Sequence, residues 1–490
     1  MLLDADAAYQ AVTARDARFD GHWFVGVTST RIYCRPICRV RTPKRENCRF
    51  FDTPAQAEAA AFRPCLKCRP EIAPGTGLRW TVMDSSKTLA LQAADALDRH
   101  ATSDDAPSVA AMAERLGVSD RHLRRIFAAE HGVTPLQYLQ TRRLLLAKQL
   151  LTDTRLPISQ VALTSGFKSL RRFNAAFADN YRMSPSRLRG DAAEDAPRAD
   201  DEVTVTLGYR EPYDVVALLK FIAQRAIPAV ERVDDRTVRR TLRAGTVAPT
   251  AGWIEAQFSP HQARVHLRFA PQWAAASGRI VTAARLWLDL DASPQTIDTA
   301  LTDLPGAPGL RLPGSLDAFE LAVRAILGQQ VTVAAARTLA RRVVERFGAP
   351  VATPWPDITR AFPAPALLAA TAPERIAELG IIRTRAAAIV ALAQAWPALT
   401  LQMQTRAPPE GLIAQLCALP GIGPWTAHYI AMRALGWPDA FPPHDVAVLK
   451  AMKHHFDTGS QREAEQRAEA WRPWRAYAVL RLWNSLEKIK

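Results

Sequence analysis

Apolar residues recur with two different periods along this chain of 490 residues. Between 85 and 190 they fall every third or fourth position, as on amphipathic helices. The stretch SVAAMAERLGVSDRHLRRIFAAEHG reads as a helix, a Gly117-Val118-Ser119 turn, and a second helix opening at Asp120. ISQVALTSGFKSLRRFNAAFADNYRMSP repeats that plan with its turn at Gly166-Phe167-Lys168, and a long helix over 135–152 separates the two. After 202 the period drops to two: VTVTL, WIEAQF and ARVHLRF alternate apolar and polar residues, as half-buried strands do. From 315 to the end the pattern is helical again, broken by turn signals at Pro354–Pro356, Pro408–Pro409, Gly421–Pro424 and Pro442–Pro443. The segment 70–80 (PEIAPGTGLRW) is a Pro/Gly-rich exit, and 191–202 (DAAEDAPRADDE) reads as an exposed acidic linker. Four modules follow, at 1–76, 85–190, 203–312 and 313–490, because a chain this long outgrows a single core.

Charge sharpens this division. The net charge is +15, and the blocks 1–80, 85–190 and 203–490 carry +5, +7 and +9. Several modules that each meet a polyanion would have this distribution, although a basic proteome would produce it too. The N-terminus MLLDADAAYQ has acids where a signal peptide needs bases, and about 18 uninterrupted apolar residues, enough for a span, occur nowhere. A cytoplasmic chain with no membrane contact is expected. Five of the six cysteines fall between Cys34 and Cys68, a clustering that favours a metal site over disulfides.

Cys34-x3-Cys38, then 26 residues, then Cys65-x2-Cys68 is a two-knuckle spacing suited to tetrahedral zinc. Arginines and lysines surround it, as on a phosphate-facing surface. Over residues 1–75 the elements FVGVTSTRIYCRPICRVR, PKREN and FRPCLKCRPE resemble the Ada-type methyl phosphotriester domain. The resemblance implies that Cys34 is both zinc ligand and methyl acceptor, with Cys38, Cys65 and Cys68 completing the site. Zinc holds the sulfur as a thiolate at neutral pH, and the thiolate is the nucleophile. Four thiolates on one divalent cation leave a charge of −2. Stoichiometric transfer of a methyl to Cys34 reduces it to −1 and relieves repulsion against DNA. Cys48 is expected to be a spare surface thiol and Cys417 a small packing residue. Removal of zinc is expected to unfold only this module and to spare base excision.

The two helix-turn-helix units, with the closing Phe177, Pro185 and Arg187, resemble the AraC family of transcription activators. The recognition helices would carry Arg121, His122, Arg124 and Arg125 in the first unit, and Ser169, Arg171, Arg172 and Asn174 in the second. Arg and Asn can bond bidentately to guanine and adenine edges, while at least half of these residues are expected on phosphate. Phe127, Phe173 and Phe177 lie on the apolar stripe and belong to the core. The resemblance implies promoter DNA and RNA polymerase as partners.

The run LCALPGIGPWTAHYIAMRALGWPDAFPPHD at 416–445 holds a glycine hairpin, Pro420 to Gly423, whose amides (Gly421, Gly423) can face a DNA phosphate. A plain turn between helices would suit the glycines. It would not account for Asp445, placed after a proline-rich loop where another helix begins. This run, with LRLPGSLDAFELAVRAILGQQV at 310–331 and WRPWRAYAVLRLWNS at 471–485, resembles the helix-hairpin-helix glycosylases, specifically 3-methyladenine DNA glycosylase II. The resemblance implies that Asp445 is the catalytic carboxylate beneath an oxocarbenium-like sugar. Trp425 occupies the place of the Schiff-base lysine of bifunctional relatives, so the strand should stay uncut. Trp425, Tyr429 and Trp483 would line the pocket for a flipped cationic purine; Trp471 and Trp474 are assigned to the core. Gln330 stands where that family has a leucine wedge. The resemblance also implies a monovalent cation on the carbonyls of Cys417, Leu419 and Ile422.

The fold class expected is multidomain α+β: a small zinc domain, an all-α double helix-turn-helix, a TATA-binding-protein-like α/β sheet domain and an all-α helix-hairpin-helix domain. The function expected is repair of alkylated double-stranded DNA by a monomer that excises 3-methyladenine- and 7-methylguanine-class bases, takes methyl groups onto Cys34 and regulates transcription. The alternative is a methylation-sensing activator whose glycosylase part only binds DNA. No Pro-Cys-His-Arg motif is present, so transfer from O6-alkylguanine is not expected.

Overall fold

A computed structural model describes residues 4–75, 85–100, 108–190, 203–405, 409–458 and 460–487. The acidic stretch 191–202 and residues 76–80 of the Pro/Gly-rich exit lie outside the described residues. The chain forms two compact units: Met1–Glu211 with His261–Thr282 and Leu290–Ala292, and Pro212–Pro260 with Ala283–Asp289 and Ser293–Lys490.

The first unit opens with helix Ala5–Ala14 and a four-stranded sheet in the order Cys48–Phe51, Phe24–Val27, Ile32–Cys34, Arg63–Pro64. Val25 pairs with Cys34 and Phe50, so the methyl-acceptor candidate sits at the end of an inner strand. Seven helices follow: Ser85–His100, Val109–Arg115, Asp120–His131, Pro135–Asp153, Ile158–Thr164, Leu170–Tyr181 and Pro185–Gly190. Their starts are set locally. Ser108, Ser119 and Ser169 each accept a backbone N–H from three residues on, and Thr134 with Gln137 forms a capping box ahead of Pro135. Gly132, at φ +67°, ends the first recognition helix in the left-handed conformation that glycine adopts without strain. Phe127, Phe173 and Phe177 are buried as expected. Strands Val203–Gly208 and Arg264–Phe269 also belong to this unit and pair antiparallel, Val203 opposite Phe269. Just beyond the first of them, Arg210 is 2% exposed and donates to the carbonyls of Asp20, Gly75, Asp291 and Ala292.

The second unit has helix Val215–Arg225 and an antiparallel meander, Glu231–Asp234, Thr237–Leu242, Gly252–Ser259. Helices that carry most of its core follow, among them Ala318–Leu327, Val333–Phe347, Arg383–Thr405 and Pro424–Ala434. The alternation pattern missed the first two strands of the meander. Arg240 lies inside the sheet rather than outside it, because Glu231 at 3.1 Å and Glu320 at 2.5 Å neutralise it there. Helix Arg383–Thr405 is long and apolar enough to cross a membrane by composition, yet Ala386, Ile389, Leu392, Trp396 and Leu399 are buried in this core.

Candidate functional site

The Sγ atoms of Cys34, Cys38, Cys65 and Cys68 all lie within 4.8 Å of one another. A zinc ion with Zn–S bonds of about 2.3 Å needs sulfurs about 3.8 Å apart, so the four thiols fit it. Hydrogen bonding from Cys34 lowers the Cys38 thiol to about 7, whereas hydrogen bonds within the cluster push the Cys34 thiol up. Arg35 is turned inward, donating to Asp20 Oδ1 at 2.8 Å and the Cys68 carbonyl at 3.1 Å. Arg31, Arg39, Arg41, Lys44 and Lys67 are exposed, Lys44 lying 3.8 Å from Glu46 and Arg31 over the Phe62 ring. Cys48 departs from expectation: it is buried beside the cluster in strand Cys48–Phe51, packed among Trp23, Val25 and Ala8 rather than spare on the surface.

In the recognition helices Arg121, Arg124, Arg125, Arg171, Arg172 and Asn174 are all exposed, as reading a groove requires. Arg124 is held against Asp120 at 3.0 Å, and Arg125 lies 3.2 Å from His122 Nδ1. Ser169 is occupied as the cap of its helix.

The second unit brings Trp425, Tyr429, Trp483 and Asp445 together. Asp445 caps helix Val446–Phe456, its Oδ1 accepting from the Val448 amide at 2.8 Å. Oδ1 also accepts from Trp483 Nε1 at 3.1 Å, and Oδ2 from Trp425 Nε1 at 2.8 Å. Asp445 is 7% exposed, and its two oxygens face these three donors at the N-terminus of its helix. Trp425 and Tyr429 are one turn apart on helix Pro424–Ala434 and lie parallel, centroids 5.3 Å apart at 9°; Trp483 is 6.3 Å from Tyr429. The Tyr429 hydroxyl accepts from Arg433 at 2.8 Å. Burial raises this phenol, but the guanidiniums of Arg433 and Arg225 outweigh it and the net shift is downward. Arg433 is fixed in turn by the carbonyls of Pro313 and Gly314. Sequence reasoning missed Arg433, although its place four residues after Tyr429 on the same helix face was a usable signal.

Gln330 is exposed at the turn after helix Ala318–Leu327, with φ +53°. Gln329, also missed, donates to the Gly421 carbonyl at 2.9 Å and to Thr426 Oγ1 at 3.0 Å, bracing that turn against the glycine hairpin. Gly421 has φ +77°, and a Cβ there would stand 2.9 Å from the Ala388 methyl. A Cβ on Gly423 would meet nothing within 4 Å, which leaves the N-terminus of helix Pro424–Ala434 open to a phosphate. Trp471 and Trp474 are buried, as assigned, and Cys417 packs against the helical core.

Exchanging Trp483 for Phe keeps an aromatic face but removes one donor from the carboxylate. The expected outcome is a single-turnover excision rate about tenfold lower, one charge-assisted hydrogen bond being worth ~1.5 kcal/mol or more. Affinity for duplex containing an abasic-site mimic should stay within twofold of wild type, roughly the effect of a change that leaves phosphate contacts intact.

Four family models match the chain: the metal binding domain of Ada at residues 7–71, a helix-turn-helix domain at 112–191, the AlkA N-terminal domain at 204–317, and the HhH-GPD superfamily base excision DNA repair protein at 323–476. The chain is 36% identical to a probable bifunctional transcriptional activator/DNA repair enzyme AlkA of Mycobacterium tuberculosis, over 99% of this chain and 97% of that one. It is 38% identical to DNA-3-methyladenine glycosylase 2 of Escherichia coli, over 57% of this chain and 96% of the relative. It is also 35% identical to the bifunctional transcriptional activator/DNA repair enzyme Ada of Escherichia coli, over 29% of this chain and 37% of the relative.

Proposed function

This chain belongs to the bifunctional transcriptional activator/DNA repair enzymes of the AlkA type, and from that premise we propose how its residues divide the work. It is a DNA-3-methyladenine glycosylase joined to an Ada-type zinc domain and a helix-turn-helix domain. In our reading an alkylated purine, flipped from the duplex, lies against Trp425, Tyr429 and Trp483 with its sugar toward Asp445. The glycosidic bond breaks with its electron pair going to the base, and the Asp445 anion stabilises the positive sugar until water adds at C1′ and gives up a proton to solvent, leaving the abasic sugar's hydroxyl. Gln330 fills the vacated stack, and Gly421 and Gly423 turn amides toward a phosphate. A monovalent cation would sit on the carbonyls of Cys417, Leu419 and Ile422.

In the first unit, bound zinc keeps thiolates available at neutral pH through Cys34, Cys38, Cys65 and Cys68. Cys34 Sγ attacks the methyl carbon of a DNA phosphotriester; a C–S bond forms, the C–O bond breaks, and the backbone leaves as an ordinary diester anion. Arg121, Arg124, Arg125, Arg171, Arg172 and Asn174 would read promoter DNA for a monomeric activator that engages RNA polymerase.

The observation that carries the excision reading is Asp445 held between two indole N–H groups of an aromatic cluster. Incubation of the purified chain with methylated duplex DNA tests it: free alkylpurine should appear with an intact abasic strand. DNA binding without base release would favour an activator whose glycosylase part only binds.

A further inference from the structure

Tyr33 and Cys34 are neighbours on strand Ile32–Cys34, and successive strand residues point to opposite faces. Cys34 faces the thiol cluster. Tyr33 faces away, and its hydroxyl donates to Glu58 Oε1 at 3.1 Å. Glu58, on helix Pro54–Ala59, is 9% exposed and meets two helices of the other module. Thr141 of helix Pro135–Asp153 donates to Oε2 at 2.8 Å, and Tyr181 of helix Leu170–Tyr181 donates to Oε1 at 3.4 Å. Burial pushes the Glu58 carboxyl up to about 8, against the pull of these hydroxyls and of Lys148.

A second cluster lies alongside. Lys148 of helix Pro135–Asp153 pairs with Glu71 at 2.6 Å, each side chain 1% exposed. Arg69 bridges Glu71 at 2.9 Å and Asp153 at 2.7 Å. Gln56 Nε2 donates to the His131 carbonyl at the end of the first recognition helix, at 3.1 Å. Buried charge pairs add little net stability, since desolvation offsets their attraction, but pulling the partners apart leaves a buried charge uncompensated and is strongly unfavourable. The contacts therefore fix orientation: the zinc module is keyed to the helices that carry both recognition elements.

We propose that the zinc module and the double helix-turn-helix meet DNA as one rigid body, locked by Glu58 and by the Glu71–Lys148 pair. A charge change at Cys34 then acts at a fixed place relative to the recognition helices, and the phosphate contacts of one module add to the base contacts of the other without a linker entropy cost. This rests on the reading that Cys34 takes the methyl. It also replaces the expectation that zinc loss unfolds the first module alone, because losing that module would expose Lys148 and Thr141.

The test uses the full chain as wild type, Glu58→Gln and Glu58→Ala. The first readout is affinity for a 30-base-pair random-sequence duplex before and after methylation by phosphotriester-containing DNA. The second is hydrogen exchange in Pro135–Asp153 and Leu170–Tyr181 when a chelator removes zinc. Wild type and Gln should gain affinity on methylation and should lose protection of both helices on chelation. In Ala the methylation gain should shrink about tenfold, and both helices should already be less protected than in wild type before zinc is removed. Glu58→Ala matching wild type in both readouts overturns the proposal, as does a chelated wild type with both helices still protected. Absence of methyl on wild-type Cys34 sinks the methyl-acceptor reading instead, and the chelation arm still decides the junction.

Discussion

Asp445→Asn is expected to slow excision of 7-methylguanine from duplex DNA by about 10²–10³, equivalent to ~3–4 kcal/mol of lost transition-state stabilisation. The exchange keeps size and shape and leaves an oxygen to accept from the Val448 amide, so the start of helix Val446–Phe456 should survive. What it removes is the anion. A neutral amide cannot offset a positive sugar, and its NH2 group would face an indole N–H that now donates to the carboxylate. Affinity for an abasic-site duplex should change far less, since the glycine hairpin and Gln330 are untouched. Single-turnover kinetics with binding measured in parallel separates the two effects; an Asn enzyme within a few-fold of wild type would remove Asp445 from the chemistry. The wild-type product should be an uncut abasic strand, because the Trp425 indole offers no amine for a Schiff base. Strand scission without alkali would overturn that role for Trp425.

What was legible in the sequence follows from the range of the interactions concerned. The cysteine pairs, the helix starts at Asp120 and Pro135 and the glycine hairpin are each set within a few residues, and the structure has them where the pattern put them, whereas Ser169, read as a recognition residue, is taken up as a helix cap. Trp425, Tyr429, Trp483 and Asp445 were legible as a set through resemblance. The direction of the indole N–H groups was not, because it depends on how helices 20 and 38 residues apart in sequence pack around the carboxylate. Long-range polar partners hid the rest. Arg240 breaks the strand pattern until Glu320, 80 positions on, is known to neutralise it. Glu58 looks like an ordinary surface acid until Thr141 and Tyr181 are beside it. Cys48 looked like a spare surface thiol because it has no place in the four-ligand pattern, yet its strand runs through the core of the zinc module.

Cys34→Ala should abolish methyl transfer from DNA phosphotriesters while excision proceeds at the wild-type rate. The two chemistries use different residues in different compact units, so loss of one nucleophile has no route to the other. Mass spectrometry of the wild type after exposure to methylated DNA should find one added methyl, at Cys34. Cys48 is the competing thiol. It is buried, burial raises its pKa, and its sulfur is bonded to the Lys44 carbonyl at 3.4 Å, all of which argue against a nucleophile. The methyl also changes the electrostatics. Four thiolates on a divalent cation carry −2 and an S-methyl centre carries −1, so each nearby phosphate loses one unit of repulsion. At about 8 Å and an effective dielectric of about 40 that is worth ~1 kcal/mol per phosphate, and two such phosphates raise DNA affinity roughly 30-fold. Screening sets the sign of the check: the gain should shrink steadily as salt rises from about 0.05 to 0.3 M, while the methyl stays in place. A methyl found on Cys48, or a gain in affinity indifferent to salt, would be incompatible with Cys34 as a charge-switched acceptor.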